Sequence, residues 1–359
     1  MAEPVRIGGA PVVALRAEPP TDGGPGFVSA EVAPGRGFLL LRARMRLPSG
    51  AVAVGVEGPA PEEAARLLDG GPEDFNGNRS FSFGGAILAP FANRIRGRPF
   101  DGSREIEADV GGRTCRLPRN WGGKAQGAAQ YAMHGLILDA PVAYDQPSND
   151  RVTGRLDAGD FGGRWPSRMA LGFEWRLAGG LLALRVEVEN TGAEPLPVGL
   201  GWHPYFAIPS GRRDQARLRL PAALRAEVDD YDQVLPTGRL LPVSGTPYDF
   251  AGPAGRPLGD LYLDDCFTKL ARENGRAVVE LTDPAAGVGL RIASPTPQVS
   301  AVQVYAPPDQ PVAAIEPQFN LADPFGDVWP AGLDTGMARL APGERLTYEV
   351  TVEPFAVRE

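Results

Sequence analysis

The sequence predicts an all-β protein, a large antiparallel β-sandwich with few short helices. Apolar residues alternate with polar ones at a period of two in several separate segments, which is typical of half-buried strands. The chain contains 46 glycines and 37 prolines among 359 residues, so turns are frequent and long helices are interrupted. No helix-length pattern alternates with the strands, which disfavours a parallel βαβ sheet.

The first predicted elements along the chain are a strand at 38–47 and a single short helix at 61–68. Pro61 suits the first turn of that helix, and the glutamates at positions 62 and 63 suit the positive end of its dipole. The period-two pattern is clearest over 171–177 and 182–188, which flank an Ala-Gly-Gly turn and therefore predict an antiparallel hairpin. Further strands are predicted at 277–281, 288–293, 300–305 and 346–352.

We predict one domain over residues 1–359, because no charge run, low-complexity linker or internal repeat divides the chain. The Gly- and Pro-rich stretches at 18–26 and 245–257 are interpreted as surface loops.

Charge and composition exclude several classes of protein. The net charge is −8, whereas a nucleic-acid binder needs a basic surface, so no nucleic-acid partner is expected. No apolar run approaches the length of a membrane span and no signal-peptide pattern begins the chain, which predicts a soluble, cytoplasmic protein with no membrane partner. Cys115 and Cys266 lack a Cys-x-x-Cys spacing and are interpreted as reduced thiols. The oligomeric state is left open.

The chain has only two histidines, His134 and His203, each beside Gly or Pro. This setting places both at strand ends or in loops, where functional sites are often built. On spacing alone, an ordinary hydrogen-bonded polar residue is the favoured interpretation of each. They are 69 positions apart and no nearby residues complete a set of three or four ligands, so no metal site is predicted.

Three other short segments contain candidate residues. Glu316 directly follows a short apolar strand, so it is either exposed at an edge or placed at a site mouth with a raised pKa. Arg94, next to Asn93, is either a surface arginine or a fork of N–H donors aimed at hydroxyls or a carboxylate. Asp264 and Asp265 are two acidic residues beside an apolar flank, and this pattern by itself could belong to any loop.

From about residue 84 to residue 354 the sequence resembles the aldose 1-epimerase (galactose mutarotase) family. Each short motif is weak by itself, but the set occurs in the family's order and uses both histidines. The motifs are Gly84-Gly85-Ala86-Ile87, Asn93-Arg94-Ile95, His134-Gly135, Asn190-Thr191-Gly192, Pro197-Val198-Gly199, His203-Pro204-Tyr205-Phe206, Val302-Gln303-Val304-Tyr305, Glu316-Pro317-Gln318 and Leu340-Ala341-Pro342-Gly343-Glu344.

The resemblance implies a galactose mutarotase-like supersandwich and an isomerase that needs no cofactor or metal and takes a small-molecule sugar. It further implies that His203 is the general acid, Glu316 the general base and His134 a second histidine near the ring oxygen. The residues that would hold sugar hydroxyls are Asn93, Arg94, Asp264 and Gln303. The family's aspartate lies three residues before a phenylalanine, which selects Asp264, although the adjacent Asp265 stays an alternative.

These residue types suit the exchange of α- and β-anomers of a free hexose. Ring opening needs a base for the C1 hydroxyl proton and an acid for the ring oxygen, and closure reverses the two roles. Neutral hydroxyls must be gripped by forked donors and acceptors, often beside an aromatic face. Trp202 or Tyr205 is expected to supply that face, with core packing as the alternative for either.

The sequence also departs from the family pattern. The segment 120–130, between the first motif and His134, is longer and more polar than the family pattern predicts. Leu136 stands where a second glycine is common. We expect the insertion to form a loop over the sugar pocket. A hexose-6-phosphate epimerase is one alternative and would need a cationic cluster, for which Arg96 and Arg98 are available. A non-catalytic carbohydrate-binding sandwich and a two-carboxylate glycoside hydrolase are the others.

Overall fold

The computed structural model describes residues 3–357 except 22, 101 and 124–129. Its helical elements are α1 (Pro61–Leu67) and two 3-10 segments, Pro72–Phe81 and Pro284–Ala286. In chain order the strands are β1 (Arg6–Ile7), β2 (Ala10–Pro11), β3 (Val13–Arg16), β4 (Gly26–Ala33), β5 (Leu39–Arg46), β6 (Val52–Val56), β7 (Gly85–Leu88), β8 (Arg94–Arg96), β9 (Arg98–Pro99), β10 (Glu105–Asp109), β11 (Thr114–Pro118), β12 (Trp121–Gly122), β13 (Gln130–Met133), β14 (Ala143–Ser148), β15 (Arg151–Gly159), β16 (Met169–Ala178), β17 (Leu181–Asn190), β18 (Leu196–Val198), β19 (Gly201–Ala207), β20 (Arg217–Arg219), β21 (Ala222–Val228), β22 (Pro236–Pro242), β23 (Arg256–Pro257), β24 (Leu263–Leu270), β25 (Arg272–Glu273), β26 (Arg276–Asp283), β27 (Val288–Ser294), β28 (Ala301–Ala306), β29 (Val312–Gln318), β30 (Ala338–Leu340) and β31 (Arg345–Ala356).

Two large antiparallel sheets dominate the structure. One has ten strands in the order β14-β15-β16-β17-β31-β27-β26-β20-β23, with β25 beside β26, and is called the outer sheet. The other has eleven strands in the order β22-β21-β24-β28-β29-β19-β6-β5-β4-β3, with β7 beside β19 and β5, and is called the site sheet. The all-β antiparallel sandwich predicted from the alternation is therefore confirmed.

The outer sheet shows why its strands were readable in the sequence. On β16 the apolar residues Leu171, Phe173 and Trp175 are buried, while their neighbours are partly or fully exposed. One face of the sheet packs on the core and the other meets solvent, which produces a clean period of two. Charged pairs such as Arg185 with Glu349 line the solvent face.

The site sheet lacks that alternation in its central strands. All residues of β29 are buried, and β28 is buried except at Tyr305. One face packs on the outer sheet, and the other is covered by loops and small sheets except where a cavity opens. Burial therefore does not alternate along these strands, and their period is not evident in the sequence.

Aromatic side chains join the two large sheets. Trp175 of the outer sheet packs edge-on against Trp202 of the site sheet, with ring centroids 5.4 Å apart. The Tyr348 hydroxyl on β31 donates a hydrogen bond of 2.6 Å to the carbonyl of Pro317 on β29. These contacts hold the back of the site sheet, so its opposite face is available for a site.

The helix predicted at 61–68 is present as Pro61–Leu67, and no helix within the described residues is long and apolar enough to cross a membrane. A small sheet of β12, β13 and β8 and the 3-10 segment Pro72–Phe81 lie outside the two large sheets. They carry Trp121 and Phe81, two side chains of the site described next.

Candidate active site

Three polar residues form a row across neighbouring strands of the site sheet. Gln303 on β28 is the direct partner of Glu316 on β29. His203 lies on β19, the next strand, and its Nε2 is 3.2 Å from Oε1 of Glu316. Strand register thus brings together residues that are far apart in the sequence.

A second row lies two residues further along the same strands. Asp264 on β24 pairs with Tyr305 on β28, which pairs with Ala314 on β29, and Ala314 pairs with Tyr205 on β19. A step of two residues returns a side chain to the same face of a strand, so both rows face the same space.

Except for Ala314, the residues of the two rows line a cavity of about 380 Å³, a size typical of small-molecule sites. Its other walls come from loops and the small sheet. The remaining lining residues are Phe81, Ser82, Arg94, Trp121, Met133, His134, Tyr231, Asp232, Val234, Tyr262 and Gln310.

His134 enters the cavity directly after β13. Its backbone is left-handed, with φ of +61°, and its N–H donates to the carbonyl of Asn93 at 2.8 Å. Gly135 follows with φ of +89°, and a Cβ at that position would lie 2.1 Å from the Ala89 oxygen. Only glycine fits there, which gives the His-Gly pair a structural reason.

The two imidazoles lie next to each other in the cavity wall. Their ring centroids are 4.9 Å apart and the planes are nearly perpendicular. Phe81 packs on His134 with centroids 4.9 Å apart. Both nitrogens of His134, Nδ1 of His203 and Oε2 of Glu316 have no hydrogen-bond partner within the described part of the chain. Buried polar atoms without partners are costly unless a ligand satisfies them.

Beside these groups lies a connected set of amide, carboxylate and guanidinium groups. Asn93 donates from Nδ2 to Oε1 of Gln303 at 3.0 Å, and Gln303 donates from Nε2 to Oδ1 of Asp264 at 2.6 Å. Arg94 donates from Nη1 to Oδ1 of Asn93 at 2.9 Å and lies 3.7 Å from Oδ2 of Asp264. All four predicted hydroxyl-holding residues therefore meet in one network, of which Arg94, Asp264 and Gln303 line the cavity.

The adjacent residues Asp264 and Asp265 have different surroundings. Asp264 lines the cavity, whereas Asp265 is fully buried and accepts hydrogen bonds from Arg225 at 2.8 Å and from Tyr231 at 3.0 Å. Asp265 is thus occupied by protein partners, and Asp264 has the position of a ligand-binding residue.

Trp202 and Tyr205, the two candidates for an aromatic face against the sugar, have different surroundings. Trp202 points into the core between the sheets, so of the two only Tyr205 lines the cavity, with its ring 5.2 Å from that of His203. Phe81, Trp121 and the tyrosines at 231, 262 and 305 were not predicted as site residues. Trp121 lies in the segment 120–130 that was expected over the pocket, and Tyr305 lies in the motif 302–305, but no local pattern marks these rings as cavity walls.

His203 and Glu316 both lie inside strands, not at strand ends. His134, directly after β13, lies at a strand end as expected. The expectation was wrong for His203, where Pro204 suggested a strand end, and for Glu316, which was expected to follow its strand. Proline lacks an N–H donor and is usually found at edges or ends. Here each proline lies within a central strand of the site sheet beside a candidate catalytic residue.

Burial dominates the electrostatics of the site. Loss of solvent, with a smaller contribution from the Asp264 carboxylate, raises the pKa of Glu316 well above its ordinary value. Burial lowers the pKa of His203 to about 4. Burial, followed by the neighbouring His203 and Arg94, lowers the pKa of His134 well below the usual value. The charged form of each group is penalised, as expected in a desolvated site.

His134, His203 and Glu316 are also the donor types that zinc prefers, and one donor atom of each lies within 4.8 Å of the others. The sequence spacing of the histidines gave no indication that Glu316 lies beside both of them. Ligating imidazoles usually bond through their second nitrogen to a protein group, but both nitrogens of His134 and Nδ1 of His203 lack such a partner among the described residues. The trio is therefore better suited to moving protons than to holding a resident metal.

Arg96 and Arg98, the arginines available to bind a sugar phosphate, lie outside the cavity wall. Arg96 pairs with Asp323 at 3.2 Å, Arg98 is exposed on β9, and neither lines the cavity. Among the described lining residues Arg94 is the only cationic side chain, against the acidic Asp232, Asp264 and Glu316.

The insertion at 120–130 is only partly described, since residues 124–129 lie outside the described part of the chain. The expectation of a loop over the pocket falls mainly on those residues. The described start of the segment forms β12, and Trp121 on that strand lines the cavity.

The sequence and the fold were compared with known proteins. Residues 49–353 match the family model for aldose 1-epimerase, which covers most of the chain. A search of curated proteins finds no match.

Solved structures share the fold. A galactose mutarotase-like protein from Clostridium acetobutylicum has 18% identity and a TM-score of 0.71, with 92% of this chain and 93% of that chain covered. The GalM/aldose epimerase homologue from C. elegans has 16% identity and a TM-score of 0.70, covering 97% and 99%. The galactose 1-epimerase from Lactobacillus acidophilus has 18% identity and a TM-score of 0.64, also covering 97% and 99%. At these identities the structures establish the fold, and the family match establishes that this chain belongs to the aldose 1-epimerase family.

Proposed function

We propose that this protein is an aldose 1-epimerase that interconverts the α- and β-anomers of a free hexose. In this proposal Glu316 is the general base, His203 the general acid and His134 a second histidine near the ring oxygen. The observation that carries the proposal is the meeting of these three side chains in one cavity of about 380 Å³.

The geometry supports a proton exchange at one sugar carbon. The C1 hydroxyl and the ring oxygen of a pyranose are bonded to the same carbon, so the base and the acid must lie side by side. The distance of 3.2 Å between His203 Nε2 and Glu316 Oε1 meets this requirement. Removal of the C1 hydroxyl proton by Glu316 and protonation of the ring oxygen by His203 open the ring, and the reverse transfers close it after rotation about the C1–C2 bond.

The polar network supports a sugar as the ligand. Asp264 and Gln303 offer acceptors, and Arg94 offers N–H donors, which together match hydroxyl groups that both donate and accept. The excess of acidic over basic side chains among the described lining residues favours a neutral sugar over a phosphorylated one.

A non-catalytic sugar binder is less well supported. Binding alone does not need a buried carboxylate and an imidazole whose pKa values are displaced in opposite directions, and such displacement is typical of catalytic groups.

The test is polarimetry of freshly dissolved α-D-glucose and α-D-galactose, with the buffer rate subtracted. We expect a rate proportional to enzyme concentration that survives dialysis against EDTA, because the reaction needs no Lewis acid or redox group. A rate equal to the buffer blank for every aldose, together with sugar binding by calorimetry, would identify a binder. Faster turnover of hexose 6-phosphates would contradict the free-hexose part. Release of reducing sugar from oligosaccharides would point to a hydrolase.

A further inference from the structure

Asn120 begins the segment 120–130, which departs from the family pattern. Its side chain forms hydrogen bonds to β13 at a point where the backbone no longer pairs with that strand. Trp121 on β12 pairs with Tyr131 on β13, and this register would place Arg119 opposite Met133. Instead, the N–H of Arg119 donates to the carbonyl of Arg104, 3.0 Å away. The backbone has therefore turned away from β13 before it reaches Met133.

The Asn120 carboxamide occupies the vacated position. Its Oδ1 accepts the N–H of Met133 at 2.8 Å, and its Nδ2 donates to the carbonyl of Met133 at 3.2 Å. A carboxamide offers the same acceptor and donor as a peptide group, so it can pair with both main-chain groups of one residue. Asn120 is only 5% exposed, and without it both groups of Met133 would be left unpaired in a buried place.

Asn120 is itself held from the other wall of the cavity. The Nδ2 of Asn78 donates to the backbone carbonyl of Asn120 at 3.2 Å. Asn78 belongs to the same 3-10 segment as Phe81, whose ring packs on His134. The hydrogen bonds of Asn120 thus connect the two segments that enclose the imidazole.

Met133 directly precedes His134, and the ring of His134 has no hydrogen bond to any described residue. Its orientation therefore depends on its backbone and on packing. We propose that Asn120 is a positioning residue that fixes the His134 imidazole through the main chain of Met133. The catalytic consequence rests on the proposed epimerase function, whereas the effect on the ring does not.

The experiment compares Asn120→Ala and Asn120→Asp with the wild type. The alanine removes both bonds to Met133, and the aspartate keeps the size but sets an oxygen against the Met133 carbonyl. We expect kcat to fall about 10- to 100-fold, since small misplacements of a catalytic group have effects of this order, with a smaller change in KM. Asn78→Ala, which leaves the Asn120 amide in place, should act in the same direction but more weakly.

Imidazole NMR supplies a readout that a merely structural role would not move. The chain has only two histidines, so His203→Asn assigns both sets of ring signals. In the Asn120 variants the His134 signals should shift or broaden while those of His203 change little.

Asn190→Ala is the matched control. Asn190 is also buried, and its Nδ2 also donates to backbone carbonyls, those of Glu194 and Leu340, but it does not line the cavity. It should lower stability without altering kcat per folded molecule or the imidazole signals. Unchanged His134 signals in folded Asn120→Ala or Asn120→Asp would overturn the proposal. If the wild type has no epimerase activity, the function fails and the NMR comparison still decides the positioning role.

Discussion

At the scale of single residues, burial sets where the one proton of the Glu316–His203 pair resides. Desolvation raises the pKa of Glu316 and lowers that of His203 to about 4, so the proton prefers the carboxyl. The proposed ring opening needs the other arrangement, ionised Glu316 beside protonated His203. Both arrangements carry the same number of protons, so their ratio does not depend on pH.

The pH profile of kcat/KM should therefore be bell-shaped, with limbs that belong to the pair. Activity should fall at low pH as the pair gains a second proton near the depressed pKa of His203, about 4. It should fall at high pH as the last proton leaves through the raised pKa of Glu316. Polarimetric rates across roughly pH 4 to 9, each corrected for buffer, measure the profile. A rate that increases steadily with pH through this range would contradict the shared-proton account.

Glu316→Gln and His203→Asn should each lower kcat by about 10²- to 10⁴-fold, because each removes one proton transfer. His134→Asn should be milder, acting on orientation as much as on proton transfer. Circular dichroism and thermal unfolding check that the variants are folded, and Glu174→Gln on the outer sheet is the control. Wild-type turnover by the Glu316 variant would remove its assignment as the base.

At the scale of elements, strand β12 brings an aromatic side chain to the cavity mouth. Trp121 is 37% exposed and packs edge-on to Phe81, with centroids 5.6 Å apart. Such a half-exposed ring is suited to the apolar C–H face of a sugar.

Replacement of Trp121 by alanine should raise KM for the preferred hexose about 3- to 10-fold and change kcat less, because the indole contacts no reacting group. Trp121→Phe keeps an aromatic face and should lose less affinity. Initial-rate polarimetry over a range of sugar concentrations measures both constants. An unchanged KM in the alanine variant would show that the ring does not contact the sugar.

How well an element could be predicted depended on how many of its faces are covered. Strands β16 and β17 have one solvated face, and their alternation gave nearly correct bounds. Strands β19 and β29 are buried along most of their length and contain proline, and His203 and Glu316 were wrongly expected at strand ends. The family resemblance, not the periodicity, identified the residues that these two strands carry.

At the scale of the whole molecule, the outer sheet supports the strand that carries Glu316. The hydrogen bond from Tyr348 on β31 reaches the carbonyl of Pro317, the residue after Glu316. This bond joins the two sheets directly behind the site.

Tyr348→Phe should lower the free energy of unfolding by about 1–2 kcal/mol, because the carbonyl of Pro317 loses its donor in a buried place. Chemical denaturation with the slope held in common measures the difference. Tyr144→Phe, on the exposed edge strand β14, is the control and should change stability by less than about 0.5 kcal/mol. An equal effect of the two substitutions would show that the bond between the sheets contributes little.

The sequence by itself determined the fold class and the family, because alternation, turn residues and ordered motifs are local properties of the chain. It also named the residues around which the site is built. Only the tertiary structure decided that Asp264 and not Asp265 faces the cavity, that Trp202 belongs to the core, and which aromatic rings complete the walls. Those outcomes depend on strand register and on contacts such as that between Asn93 and Gln303, 210 positions apart, which no local pattern encodes.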